Sequence, residues 1–313
     1  MMTKDPRTEH DAEPESFGGA SNIMKAESKR TVSMSPWAQA RRRFLRNTAA
    51  IVSLAILVTI LLLAIIIPII WPHKIEDASL DTILLAPSFS DFHWFGTDAN
   101  GRDLFVRTFY AARISLAVGL TATSVALVIG TIYGAVAGYV GGKTDQIMMR
   151  IVDVLYALPL LFVVIILVTI LGNNIILIFF AIGCVEWLTT ARIIRGQTLS
   201  VKSREYVESA RAIALPSRQI VQRYIIPNAI GPVIVYVTLL IPINIIVESS
   251  LSFLGLGVQE PLTSWGLMIS QGVDLLDGAP WVLGFPALLF AVTLYCFNFV
   301  GDGLRDALDP KER

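Results

Sequence analysis

One stretch of this sequence, residues 137–144 (AGYVGGKT), has glycines and a lysine at nearly the spacing of a phosphate-binding loop, with alanine in place of the first glycine. In a true phosphate-binding loop the glycines follow a buried strand and open a helix, so that backbone amides face the phosphates. Here the stretch follows an apolar run containing Gly130 and Gly134, and a glycine pair with Lys143 is typical of a helix end beside a membrane. We therefore expect no nucleotide site and no hydrolysis in this chain.

A second stretch, residues 95–104 (FGTDANGRDL), carries enough Asp and Asn to suggest calcium. It lacks EF-hand order, since a glycine follows Asn100 and no bidentate Glu stands at the required distance. The Asn-Gly pair predicts a turn, and Asp103 is expected to pair with Arg107 at the start of a helix. We expect no metal, because ligand spacing is also absent around His73, His93, Cys184 and Cys296.

Two acids, Glu186 and Glu248, lie in or at the edge of apolar runs. Ionisable residues inside a membrane are costly, and by default they indicate a pathway or a proton relay. Glu186 is expected near the cytoplasmic end of its run, where water or Arg192 satisfies it, and Glu248 at the outer end of its run. A proton-coupled carrier that uses either acid stays open beside the alternative of two satisfied carboxylates.

The composition indicates which elements must position these residues. Of the 313 residues, 54% are hydrophobic and 16% are charged, and the net charge is zero. Soluble proteins carry about 25% charged residues, and the mean hydropathy of this chain is +0.63. We expect an all-α membrane protein surrounded by the lipid bilayer, with no nucleic-acid partner.

Crossing a hydrocarbon core of roughly 30 Å takes about 20 apolar residues in a helix. Six stretches qualify, at residues 49–71, 114–139, 151–171, 175–194, 229–248 and 281–300. Residues 1–36 are polar and predicted to be a disordered cytoplasmic tail, without a cleavable signal peptide. Residues 37–48 suit a basic interfacial helix, or equally a positive stop before the first span. The remaining divisions are a periplasmic loop at 72–113, a core at 114–301 and a cytoplasmic tail at 302–313.

The orientation follows from where Lys and Arg concentrate beside the spans. Basic residues crowd positions 41–46 and 192–223, whereas the stretch 250–280 contains none. Both termini are therefore expected in the cytoplasm. Kinks are expected at the prolines inside spans, for ordinary packing or around a gated passage; these are Pro68, Pro159, Pro232, Pro242 and Pro286.

The cytoplasmic stretch 203–228 (SREYVESARAIALPSRQIVQRYIIPN) has the pattern of a docking element. Ser203 is expected to cap a helix that Pro216 ends, and a second short amphipathic run leads into the fifth span. A narrow apolar stripe is predicted at Tyr206, Ala210 and Ile213. Small side chains along the first helix would allow close approach to a partner.

This stretch resembles the EAA loop of ABC importer permeases, written E-A-A, three residues, G, nine or ten residues and I-x-L-P. Glu208-Ser209-Ala210 takes the triplet, Ala214 the glycine position, and residues 225–227 the end. Serine at 209 and alanine at 214 depart from the pattern, and the second puts a need for glycine's backbone freedom in question. The resemblance assigns ATPase coupling to Glu205, Glu208, Ser209, Ala210, Ala214, Ile225 and Pro227. We call residues 203–228 the EAA segment.

The resemblance also implies a six-span, type I importer permease fold, in which this segment sits in a cleft of a cytoplasmic ATPase. It implies a paralogous permease as the other half of a heterodimer, two ATPase subunits that use ATP and Mg, and a periplasmic peptide-binding protein. The chain itself would be a non-catalytic, multi-pass subunit of a bacterial inner membrane, without a cofactor of its own.

The wider resemblance covers residues 37–313 and is to the C-type permeases of dipeptide and oligopeptide importers. It is carried by residues 95–104, 191–200 (ARIIRGQTLS), 251–266 (LSFLGLGVQEPLTSWG) and 297–311 (FNFVGDGLRDALDPK). The last two stretches are most similar to the oligopeptide member, while dipeptides, haem, antimicrobial peptides and nickel chelates stay open as cargo. The candidate residues of the passage and its outer mouth are Glu248, Gln259, Glu260 and Trp265.

Overall fold

The computed structural model describes residues 36–171 and 174–308, and within them the only pairing of extended backbone is two isolated bridges. The helices are α1 (Pro36–Phe44), α2 (Thr48–Ile70), α3 (Leu104–Val140), α4 (Gly142–Tyr156), α5 (Leu160–Leu171), α6 (Ile175–Lys202), α7 (Glu205–Ala212), α8 (Ser217–Ile220), α9 (Ile226–Phe253), α10 (Trp265–Val273) and α11 (Trp281–Leu308). The all-α prediction is confirmed. The predicted tail 1–36 lies outside the described residues except for its last position.

Five of these helices, α2, α3, α6, α9 and α11, are long and apolar enough to cross a membrane. Helices α4 and α5 make a sixth crossing if they are counted as one span, but they are bent by 85° relative to each other. The predicted span at 151–171 is therefore not one continuous helix, because residues 157–159 interrupt it. Pro159 lies at this interruption, where its ring and missing N–H oppose a continuous helix.

Several predicted boundaries also shift. Helix α3 begins at Leu104 instead of residue 114, so the end of the predicted loop 72–113 is helical. Helix α11 continues to Leu308, past the predicted start of the tail at 302. The helices α2, α9 and α11 continue through their internal prolines, which are Pro68, Pro232, Pro242 and Pro286.

Helices α3 and α6 pack closely through small residues. A Cβ atom added to Gly130 would lie 2.6 Å from the Cβ of Thr190, and one added to Gly138 would lie 2.8 Å from the Cβ of Thr198. A Cβ at Gly134, midway between them, would collide with the backbone oxygen of Ala191. Glycines at intervals of four residues allow membrane helices to approach in this way, so this pair forms a rigid centre for the surrounding spans.

The stretch 95–104 is a turn that opens α3, as expected, with positive φ at both of its glycines. Asp103 caps the helix, because its Oδ1 accepts the N–H of Val106 at 2.9 Å. The predicted pair of Asp103 with Arg107 is wrong. Asp103 Oδ2 lies 2.8 Å from His93 Nδ1, while Arg107 Nε lies 3.5 Å from Asp98 Oδ2.

Candidate functional site

The EAA segment forms the two short helices α7 and α8, followed by a π-helical turn at Val221–Ile225 that runs directly into α9. The predicted cap is wrong, because the hydroxyl of Ser203 donates to the carbonyl of Ser200. Arg204 takes the cap position without a side-chain hydrogen bond. From residue 217 to 253 the backbone is helical without a break, so the second part of the EAA segment and the fifth membrane helix are one continuous element.

One side of the EAA segment is buried in an apolar cluster. Its buried members are Val201, Val207, Ala210, Ile220 and Ile225, and Tyr139, Leu215 and Tyr224 pack against them. Tyr139 is near the end of α3 and Val201 near the end of α6. The cluster therefore joins α7 to the ends of two membrane helices.

The other side of α7 is exposed and carries three of the predicted coupling residues, and two more are exposed elsewhere in the EAA segment. Glu205, Glu208, Ser209, Ala214 and Pro227 are exposed, whereas Ala210 and Ile225 belong to the buried cluster. The predicted apolar stripe is therefore split between two faces. Ala210 points inward with Val207, while Tyr206 is 42% exposed and Ile213 is 72% exposed.

Ala214 occupies the backbone position where glycine is favoured. Its φ is +56°, in the left-handed region that residues with a Cβ adopt at a cost. The N–H of Leu215 donates to the carbonyl of Ala210 at 3.2 Å, and the N–H of Ala214 to that of Arg211 at 2.9 Å. These two bonds form a Schellman motif, which ends helices with a left-handed residue. Position 214 therefore has the left-handed backbone conformation that favours glycine, and Ala214 adopts it.

Two cations from different helices contact Tyr139. Lys202 Nζ, at the end of α6, donates to the carbonyl oxygen of Tyr139 at 2.5 Å. The guanidinium carbon of Arg211, in α7, lies 5.2 Å from the centroid of the Tyr139 ring. A cation near a ring face is attracted by the ring quadrupole, so Tyr139 links α3, α6 and α7 at one point.

Helices α4 and α6 are held by two ion pairs. Arg195 contacts both carboxylate oxygens of Asp145 at 2.6 Å, and Arg192 Nη2 lies 2.9 Å from Asp153 Oδ1. The guanidinium of Arg192 also lies over the ring of Tyr156, at 4.3 Å. Arg192 is thus engaged by α4, and the expectation that it satisfies Glu186 is wrong.

On the opposite loops, Glu260 contacts the turn that opens α3. Arg102 donates from Nη2 to Glu260 Oε1 at 2.9 Å and from Nε to Asp98 Oδ2 at 2.8 Å. The hydrogen bond from Arg102 lowers the pKa of the Glu260 carboxyl, although burial acts in the opposite direction. For Arg102, burial lowers the pKa, but Glu260 and Asp98 outweigh it and the net pKa is raised. The pair joins two stretches of chain that are 158 residues apart.

The four predicted residues of the outer mouth divide into two groups. Gln259 and Glu260 are exposed. Glu248 and Trp265 are both 0% exposed, so the prediction that they line the mouth is wrong for this structure. Glu248 is enclosed because α9 continues past it to Phe253 and the following loop folds over it.

Comparison with known proteins identifies the family. The family model described as "Binding-protein-dependent transport system inner membrane component" matches residues 106–313, and the N-terminal transmembrane domain of oligopeptide transport permease C matches residues 35–87. The chain belongs to the binding-protein-dependent inner-membrane permeases. The permease is 53% identical to the oligopeptide transport system permease protein OppC of Haemophilus influenzae, over 88% of this chain and 89% of that one.

Other relatives of this permease carry related names. The OppC protein of Escherichia coli K12 is 51% identical over 88% of this chain and 92% of its own length. The dipeptide transport system permease protein DppC of Bacillus subtilis is 46% identical over 92% and 90%. An inward-facing structure of the MetNI methionine ABC transporter has a TM-score of 0.48 and 16% identity, covering 63% of this chain and 94% of that one.

Two features of the permease were missed from its sequence. The contact of Arg211 with Tyr139 joins residues that no short motif connects. The serine hydroxyls that bond to Glu248 come from two separate helices, Ser115 of α3 and Ser249 and Ser252 of α9. The clustering of serines near one intramembrane acid was visible, but their convergence required the fold. Among the residues that the structure describes, no group of three His, Cys, Asp or Glu side chains could hold a metal ion.

Proposed function

We propose that the permease forms one half of a membrane passage in an ATP-driven, binding-protein-dependent oligopeptide importer, and that the EAA segment couples it to an ATPase. The observation that carries this proposal is the two-sided structure of α7. Its inner face is fixed to membrane helices by Val207 and Ala210, while its outer face presents Glu205, Glu208 and Ser209. An element built only to join two spans would have no need for exposed apolar side chains such as Ile213, which is 72% exposed.

The contacts suggest how movement would pass from the ATPase to the passage. An ATPase that grips the exposed face of α7 would pull on the buried cluster, and thereby on the ends of α3 and α6. It would also pull on α9, because Ile220 and Ile225 of the same cluster belong to the helical backbone that runs from 217 to 253. This path contains a π-helical turn at Val221–Ile225. Such turns frequently occur at functional sites within helices. ATP and Mg would be bound by the ATPase subunits, so this chain would supply movement and no chemistry.

The remaining parts of the importer follow from the same proposal. A paralogous permease would complete the passage as a heterodimer, and two ATPases would dock on the paired EAA segments. A periplasmic binding protein would deliver the peptide at the loops 72–113 and 250–280. The basic stretches would then lie in the cytoplasm, with both termini inside and the spans in a bacterial inner membrane.

Oligopeptides are the proposed cargo because the names of the most similar relatives considered, at 53% and 51% identity, specify oligopeptide transport. Dipeptide and glutathione permeases appear at 46% and 38% identity. Uptake of labelled di-, tri- and pentapeptides by the reconstituted complex separates these cargoes. Exclusive uptake of dipeptides would contradict the oligopeptide assignment.

The coupling role is tested by Glu208→Arg, which reverses the charge on the exposed face of α7 without touching the buried cluster. We expect ATP hydrolysis and peptide uptake to become uncoupled, with uptake per ATP falling about tenfold or more while the protein still inserts into membranes. The matched control is Glu76→Arg, a charge reversal at an exposed acid of the 72–113 loop. Normal uptake per ATP in Glu208→Arg would reject the coupling role.

A further inference from the structure

Glu248 is a fully enclosed acid within the membrane helix α9, with an exposure of 0%. Burying a carboxylate is costly unless its oxygens are satisfied by hydrogen bonds or a cation. Within residues 36–171 and 174–308, no ion pair includes Glu248. Its environment must therefore be explained by hydrogen bonds.

Serine hydroxyls supply those hydrogen bonds. Ser252 donates to Oε1 at 2.6 Å, while Ser115 and Ser249 donate to Oε2 at 3.2 Å and 3.3 Å. Both carboxyl oxygens of Glu248 therefore accept hydroxyl donors, one from α3 and two from α9 itself.

Two of these hydroxyls hold the backbone at the same time. Ser252 accepts the N–H of Val258 at 3.1 Å, and Ser115 accepts the N–H of Trp265 at 3.3 Å. A hydroxyl has a single hydrogen, so one that accepts a backbone N–H must direct that hydrogen to another acceptor. Glu248, which only accepts when ionised, is that shared acceptor.

Val258 lies in the irregular stretch between α9 and α10, residues 254–264, and Trp265 directly follows that stretch. Irregular backbone at membrane depth must have its polar groups satisfied within the protein. The stretch lies so close to α9 that a Cβ on Gly257 would collide with Ser252, and at the start of α10 a Cβ on Gly266 would collide with the backbone of Ser249. There is no room for side chains at these two glycines. The position of the stretch relative to α9 therefore depends on the hydrogen bonds made by the serine hydroxyls.

We propose that Glu248 is a positioning residue for the 254–264 stretch, acting through Ser252 at Val258 and Ser115 at Trp265 to fix the chain on both sides of Gln259 and Glu260. This inference rests on the proposed function in one respect, namely that this loop borders the outer mouth where the binding protein delivers peptide. Glu248 contacts no peptide itself. It determines the position of the loop that borders the mouth where the binding protein delivers peptide.

The first test measures the loop directly and requires no transport. Val258, which is 2% exposed, is replaced by cysteine in the assembled complex after Cys184 and Cys296 have been changed to alanine. A membrane-impermeant maleimide should label Val258→Cys slowly, and about tenfold faster when Glu248→Gln is added, because the amide of Gln presents hydrogens to hydroxyls that need an acceptor. Val106→Cys, also valine and 0% exposed, is the control in a separate cluster and should change less than twofold.

Serine variants provide a second, matched comparison in the Val258→Cys background. Ser252→Ala removes the hydroxyl that binds Val258 and should accelerate labelling about tenfold. Ser249→Ala removes a hydroxyl that bonds to Glu248 but, within the described residues, accepts no N–H from the loop, so it should change labelling less than twofold. Unchanged labelling in Glu248→Gln, or an equal rise at Val106→Cys, would overturn the proposal.

The functional readout separates positioning from general damage. In proteoliposomes with trialanine as the probe, Glu248→Gln and Ser252→Ala should raise the half-saturating concentration of the binding protein about tenfold, more than they lower the maximal rate per assembled complex. Ser249→Ala should leave that concentration within twofold. A fall in maximal rate alone would contradict the proposal. If the parent complex transports no peptide, the proposed function fails, while the labelling result still decides the role of Glu248.

Discussion

Arg195 of α6 binds Asp145 of α4 at two points, with Nε and Nη2 each 2.6 Å from a different carboxylate oxygen. Such two-point pairing fixes the direction as well as the distance between the side chains. It holds the first turn of α4 against α6.

Asp145→Asn should therefore destabilise the permease by about 1–2 kcal/mol, since a charge-assisted bond is lost while solvent still reaches the arginine. Asp153→Asn, which breaks the more exposed pair with Arg192, is the control and should cost about 0–1 kcal/mol. Thermal unfolding in detergent measures both. Equal losses would show that the two-point geometry contributes nothing extra.

Ala214→Gly should stabilise the permease by about 1 kcal/mol, because a residue without Cβ adopts positive φ without the steric cost. The same change two residues earlier, Ala212→Gly, is the control and should destabilise by about 1 kcal/mol or less, since that position is the last helical residue of α7. A pair of thermal unfolding curves checks the opposite signs. Destabilisation by both changes would contradict the Schellman assignment.

The pair of Glu260 with Arg102 should make the outer loops sensitive to acid. The folded-state pKa of Glu260 lies below its unfolded value because Arg102 stabilises the carboxylate. Its contribution is therefore complete above the unfolded pKa, about 4.3, and is lost as the pH falls through the folded pKa.

Hydrogen exchange around residues 98–102 should accordingly increase as the pH is lowered below about 4.3, after correction for the intrinsic dependence on pH. In Glu260→Gln this extra increase should be absent, because the amide does not titrate. An identical acid response in both proteins would remove Glu260 from the explanation.

Tyr139 should matter for coupling through its ring. Tyr139→Ala removes the surface that Arg211 approaches to 5.2 Å, so uptake per ATP should fall severalfold. Tyr139→Phe keeps the ring and should retain most of the uptake per ATP. Tyr295→Ala, at an exposed tyrosine of α11, is the control. Equal coupling in the Ala and Phe variants would show that the stacked ring is not required.

The sequence predicted the elements better than their contacts. Apolar length located the five long spans, and the turn at 95–104 follows from its Asn-Gly pair. Helix periodicity could not decide which side of α7 is buried, because Tyr206, Ala210 and Ile213 are all apolar or small and only the fold directs Ala210 inward. The proline at 159 indicated a kink, but the size of the 85° bend depends on packing.

The contacts around Glu248 and Arg107 were even harder to predict from the sequence. Ser115 and Glu248 are 133 positions apart, so no local pattern connects them. The charge at 248 suggested a passage, whereas the surrounding hydroxyls enclose it. Arg107 likewise turned toward Asp98, because Asp103 is occupied by its cap and by His93.

The central claim is that the exposed face of α7 is where an ATPase docks, and site-directed cross-linking tests it most directly. In the purified complex, Ile213→Cys should cross-link to the ATPase subunit, with a yield that ATP changes at least twofold. Val128→Cys, on the exposed side of α3, should give no such product. Absence of the ATPase cross-link at Ile213→Cys in an intact complex, or an equal yield at Val128→Cys, would contradict the account.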